Sequence, residues 1–145
     1  MSKVEDFLSS AEEKSVIDAI VLAEKNTSGE IRIHLEKKSD KAPFDRAIEV
    51  FNKLEMYKTK DRNGVLIYVA VKDKKFVICG DDEINKKVAS DFWESTKEAI
   101  QNQFRNGNFA QGLIDGITKA GEQLKIYFPY NNDDTNELSN EISTE

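Results

Sequence analysis

Residues 61–83 carry the pattern that most restricts what this chain can fold into. Asp61-Arg62-Asn63-Gly64 reads as a polar loop, and Val65-Leu66-Ile67-Tyr68-Val69-Ala70-Val71 follows without a polar break. Lys72-Asp73-Lys74-Lys75 then turns the chain into a second apolar run, Phe76-Val77-Ile78-Cys79. A strand that is apolar on both faces belongs at the centre of a sheet with helices on either side. A tight hairpin returns its two ends to one place. The Asp61 loop is therefore expected beside the loop that ends the second strand, Gly80-Asp81-Asp82-Glu83.

The flanking segments supply the helices. Ser10-Ala11-Glu12-Glu13 has the Ser-x-x-Glu form of a capping box, and Val16, Ile17, Ile20 and Ala23 make one apolar face of the helix it opens. After the turn Thr27-Ser28-Gly29, Glu30 starts an alternating run. Ile31, Ile33 and Leu35 face one way, and Arg32, His34 and Glu36 face the other, the pattern of a half-exposed strand towards an edge. Pro43 suits the first turn of a helix whose stripe is Phe44, Ala47, Ile48, Phe51 and Leu54. Beyond the hairpin, Ile84 to Val88 reads as a short helical turn. Ser90 or Asp91 can cap a helix carrying Phe92, Trp93, Thr96, Ile100 and Phe104. Asn106-Gly107-Asn108 breaks it, and a last helix presents Phe109, Gly112, Leu113, Gly116, Ile117, Ala120 and Leu124, its glycines expected to let it sit close against the sheet.

Topology then makes a functional statement. The strands at 30–36 and 64–71 are joined by a helical crossover, so they should run parallel and right-handed. The third strand returns antiparallel. Glu30, the Asp61 loop and the Asp81 loop should meet at one end of the sheet. Glu30, Asp61, Asp81 and Asp82 offer hard oxygen ligands suited to Ca²⁺ or Mg²⁺, and Asn63 or backbone carbonyls can complete the shell. The competing reading makes Asp61 and Asp81 turn residues, and Asp82 or Glu83 a helix cap.

Composition narrows the partners. The net charge is −6, but five acids (Asp133, Asp134, Glu137, Glu141, Glu145) lie in residues 130–145 without one Lys or Arg. The body, 1–129, is near neutral and is read as one domain; 130–145 is read as an acidic, flexible tail. Without clustered cations, nucleic acid is not an expected partner. The single cysteine, Cys79, forms no internal disulfide. No signal peptide and no membrane span are read, and the expected location is the cytoplasm. A monomer is the expectation.

Thr27-Ser28-Gly29-Glu30-Ile31-Arg32, Thr59-Lys60-Asp61-Arg62-Asn63-Gly64-Val65-Leu66-Ile67-Tyr68, Gly80-Asp81 and Phe104-Arg105-Asn106-Gly107-Asn108-Phe109-Ala110-Gln111-Gly112-Leu113 occur in the order found in the TPM domain, which this chain resembles from about Phe7 to Phe128. That family is often labelled a thylakoid acid phosphatase domain. The resemblance implies an α/β fold: a three-layer α/β/α sandwich with a small mixed central sheet flanked by helices on both faces. It also implies a divalent-cation site in the loops named above. Many members carry a signal peptide and a membrane segment or low-complexity tail. This chain resembles the smaller, free-standing cytoplasmic subset. Many members also have Gly in the loop after the third strand, where Asp82-Glu83-Ile84 stands here.

Two functions follow as expectations. One is a cation-dependent phosphomonoester hydrolase, with the cation polarising the phosphoryl group and Arg62 clamping phosphate oxygens. The other is a non-catalytic module whose cation-ordered loops dock a protein partner. A covalent phosphatase route has no support. Position 85 is Asn, so Cys79 opens no Cys-x5-Arg loop, and there is no Asp-x-Asp motif. His34, the only histidine, cannot make a zinc site with so few partners and is read as an outward-pointing strand residue.

Overall fold

The computed structural model describes residues 7–88, 91–130 and 139–144. Helix α1 (Ser10–Glu24) leads into β1 (Glu30–Glu36), α2 (Pro43–Lys53), β2 (Gly64–Ala70) and β3 (Lys75–Gly80). Then come the short α3 (Asp82–Lys87), α4 (Glu94–Arg105), α5 (Phe109–Tyr127) and the two-residue β4 (Ser143–Thr144). The capping box closes on Ser9 and Glu12, one residue before the expected Ser10. Both serines have a glutamate three residues on, and only backbone geometry chooses between them.

The sheet has the order β3-β2-β1-β4. β1 and β2 run parallel from Glu30↔Gly64 to Glu36↔Ala70, and β3 returns antiparallel to β2 from Ala70↔Lys75 to Val65↔Gly80. As its composition demanded, β2 is buried along its whole length at the middle of the sheet. On one face Ile31, Ile33, Leu35, Val65, Ile67, Val69 and Ile78 pack under α1, α4 and α5. On the other, Leu66, Tyr68 and Ala70 pack under α2 through Ala47, Val50 and Phe51. The result is an α/β/α sandwich.

Three expectations need correction. β1 is not half exposed: Glu30, His34 and Glu36 are buried along with its apolar residues, and only Arg32 is partly open. The His34 and Glu36 end of the polar face turns inward because the Glu36 charge is met there. Glu36 accepts from Arg46 Nε and Nη2 at 2.9 and 2.8 Å, from the Tyr68 hydroxyl, and lies 3.0 Å from His34 Nε2. His34 therefore points inward; its ring stacks on Tyr68, and its Nδ1 lies 2.9 Å from Ser143 Oγ on β4. Nor do Gly112 and Gly116 bring α5 onto the sheet. A Cβ there would meet Phe104 and Ile100 on α4, so the glycines set the distance between two helices.

Of the expected caps of α4, Ser90 lies outside the described residues, and Trp93 occupies the cap position without a side-chain bond. Within the segment read as a tail, Ser143 and Thr144 pair in parallel with His34 and Leu35; residues 131–138 and 145 are outside the described set. No helix among the described residues is long and apolar enough to cross a membrane.

Candidate functional site

The register sets the site. Glu30 is opposite Gly64, and the Glu30 N–H donates to the Asn63 carbonyl at 3.4 Å. On the other side of β2 the Asp81 N–H donates to the Gly64 carbonyl at 3.0 Å, and the Glu83 N–H to the Arg62 carbonyl at 3.2 Å. The segments carrying Glu30, Asp61–Gly64 and Asp81–Glu83 are thus neighbours at one end of the sheet. Thr27 braces this end from behind. Its hydroxyl donates to the Phe128 carbonyl, and Gly29 packs against Leu124 where a Cβ would come within 2.9 Å of a methyl.

The side chains divide more than the backbone does. Arg62 sits in the left-handed region at φ 51°, a conformation uncommon for a residue with a Cβ. From there its Nε and Nη2 reach Asp81 at 2.9 and 3.0 Å, and Nη2 reaches Asp82 at 3.2 Å. Asp81 is 4% exposed and caps α3, accepting from the Asp82 N–H at 2.7 Å. Hydrogen bonding to Asp81 holds the Arg62 guanidinium above its ordinary pKa. Arg62 is also a divider. Asp81, Asp82 and Asn85 line a hollow of about 400 Å³ on one side of it, together with Ile48 and Tyr57. Asp61 and Glu83 line a hollow of about 310 Å³ on the other. Asn63 is buried, its amide donating to Ser28 Oγ at 3.1 Å. Glu30 is buried as well. Among the described residues, no group of three or more His, Cys, Asp or Glu side chains is disposed to hold a metal ion.

A carboxylate that the sequence reading overlooked lies close by. Glu24, at the end of α1, accepts from the Ile31 N–H at 2.8 Å. Burial pushes its pKa up to about 7; the Ile31 bond opposes this, and the charge of Glu30 adds to it. A folded pKa above the ordinary 4.5 gives stability that is complete below pH 4.5 and lost as pH rises through 7. Glu24→Gln should therefore leave the melting temperature unchanged at pH 4. At pH 8 it should stabilise by about 1–2 kcal/mol, the shift being discounted for partial exposure. Equal melting shifts at both pH values would contradict this. Only the spacing between a helix end and the next strand could have pointed to Glu24.

Cys79 is partly buried, and burial, with the charge of Asp81, pushes its thiol up to about 11. It is not poised as a nucleophile.

The TPM domain model matches residues 1–123. This chain belongs to the TPM domain family. The BA42 protein of the psychrophilic bacterium Bizionia argentinensis, solved by NMR, is 61% identical with a TM-score of 0.93, over 100% of both chains. Two solved structures of lower identity share the fold alone. The N-terminal domain of a protein from P. gingivalis, solved by NMR, is 17% identical with a TM-score of 0.66, over 84% of this chain and 79% of that one. The N-terminal domain of the cg2496 protein of Corynebacterium glutamicum is 11% identical with a TM-score of 0.58, over 95% and 80%. No curated protein matches this TPM domain in sequence.

Proposed function

We propose that this TPM domain binds a divalent cation, Ca²⁺ or Mg²⁺, at the loop end of its sheet. Glu30, Asp61, Asp81, Asp82 and the Asn63 oxygen are the ligands proposed. The observation that carries the reading is the Arg62 guanidinium lying between separated carboxylates of neighbouring loops, with its side chain 42% exposed. It neutralises Asp81 while remaining able to leave into solvent. The donor set is all hard oxygen, which fits either ion. A bound cation would supply charge neutralisation and polarise a phosphoryl oxygen.

Arg62 also decides between the two uses of such a site. Released from Asp81, its planar fork would face the 400 Å³ hollow and could hold a phosphate monoester by two parallel N–H bonds. Hydrolysis of phosphomonoesters is the enzymatic form of the proposal. The same hollow is lined by Phe44, Ile48 and Tyr57, which are 55, 41 and 37% exposed, and these favour the second form, a cation-ordered loop cluster that docks a protein.

An NMR titration of the metal-free protein with Ca²⁺ and then Mg²⁺ tests the shared part. Saturable amide shifts confined to Glu30, 61–64 and 80–83 are expected. Asp81→Asn, which keeps an oxygen to cap α3, should weaken binding about tenfold or more. Linear shifts spread over the acidic 130–145 segment would overturn the proposal. Turnover of p-nitrophenyl phosphate by the cation-loaded protein, lost in Arg62→Ala, would select the hydrolase; a saturable cation site without turnover would select the docking module.

A further inference from the structure

β3 is the outer strand of the sheet, and among the described residues no strand pairs with its free side. Alternate backbone N–H and C=O groups along that side have no ladder partner. The edge does not lie on open surface. It forms the floor of a hollow of about 910 Å³, walled by the start of α2 at Pro43 and Phe44 and by α4 at Lys97, Phe104 and Arg105. Phe44 is 55% exposed on this wall. Lys74 and Lys75 close one end, and no Asp or Glu lines the hollow.

Lysines on an edge strand commonly guard against unwanted pairing. That account covers Lys75, but not Lys97 and Arg105, which project from a different element across the groove. We propose that this groove takes an extended acidic segment of a protein partner as a further strand beside β3. Main-chain pairing would supply the affinity and the two helix walls the side-chain preference.

The walls predict the pattern of that segment. Phe76 and Ile78 of β3 belong to the face under α4, and Val77 and Cys79 to the face under α2. A strand added to this edge continues both faces, its side chains alternating between them. Every second residue would then meet Lys97 and Arg105 and should be acidic. The residues between would meet Phe44 and should be apolar. β3 has six residues, so about six residues of partner would fill the edge.

The probe is a blocked peptide of alternating Glu and Val, titrated into the ¹⁵N-labelled full chain. Saturable shifts are expected in Lys74–Ile78 and in the α2 and α4 residues facing the groove, with 61–64 and 81–83 unmoved. The double variant Lys97→Glu with Arg105→Glu should bind at least about tenfold more weakly. An alternating Lys-Val peptide, and a Glu-Val peptide N-methylated throughout, should not bind. Absence of saturable shifts with millimolar Glu-Val peptide would overturn the proposal. So would equal binding of the Lys-Val peptide, which removes the charge selection, or of the N-methylated one, which removes strand pairing. Because the cation loops do not line this groove, failure of the cation titration leaves the test intact.

Discussion

Glu36→Ala is expected to cost about 3 kcal/mol of folding stability, because it leaves a mostly buried guanidinium without its buried counter-charge. The Glu36 side chain is 4% exposed and that of Arg46 13%. Arg46 keeps a bond to Glu49, but that carboxylate stands at the surface and cannot replace a buried one. Burial alone would raise the Glu36 pKa. Hydrogen bonds from Arg46, then Tyr68 and His34, together with the charge of Arg46, bring it down to about 2. A folded pKa below the ordinary 4.5 contributes stability that is present above pH 4.5 and lost as pH falls through 2. The lowered value corresponds to about 3 kcal/mol, in line with the cost of removal. Urea unfolding followed by circular dichroism should show the loss at pH 7, and the variant should have a flatter decline between pH 4.5 and pH 2. Tyr68→Phe, which removes one of several donors, should cost only about 1 kcal/mol. A loss below that figure for Glu36→Ala, with the acid slope unchanged, would show that the cluster contributes little.

Gly116→Val should cost about 3 kcal/mol through overpacking between α4 and α5. A Cβ at Gly116 would stand 2.5 Å from Ile100 Cγ1 and 2.6 Å from its Cδ1, and Ile100 is fully buried. Valine gains a little helix propensity over glycine, too little to offset the clash. The discriminating measurement is a double-mutant cycle. Ile100→Ala is destabilising alone, yet combined with Gly116→Val it should recover more than 1 kcal/mol relative to the sum. Simple additivity would mean that α5 shifts to accommodate the methyl groups and that the glycine does not set the spacing.

The hairpin was legible because Val65–Val71 leaves no face for solvent, and a strand with two apolar faces has one possible place in a sheet. β1 misled because alternation reports polarity, which is not the same as exposure. Arg46 is ten residues from Glu36, on a helix whose apolar stripe accounts for its placement without it. The available signal was Tyr68, a hydroxyl in an otherwise apolar run, which the parallel register sets opposite His34. The meeting of the Glu30, Asp61 and Asp81 segments followed from topology. The arrangement of their side chains did not, because it depends on Arg62 taking a left-handed backbone conformation that no residue pattern announces. The glycines of α5 were recognisable as close-contact positions. Their partner was not, since helix spacing gives a face and leaves open what lies against it.

The clasp of Thr27 and Ser28 on the carbonyl of Phe128 has a consequence for the order of synthesis. During translation β1, α2 and the hairpin can pair and bury the α2-side core as they leave the ribosome, while the other face waits for α4 and α5. The turn that delivers Glu30 must wait about a hundred residues for the end of α5 to emerge, and ribosomes add only about 5–20 residues per second. For those seconds the nascent chain carries its sheet with the loop end unfastened. A stop before residue 128 would release a chain that lacks this fastening, its proposed ligand loops held on one side only.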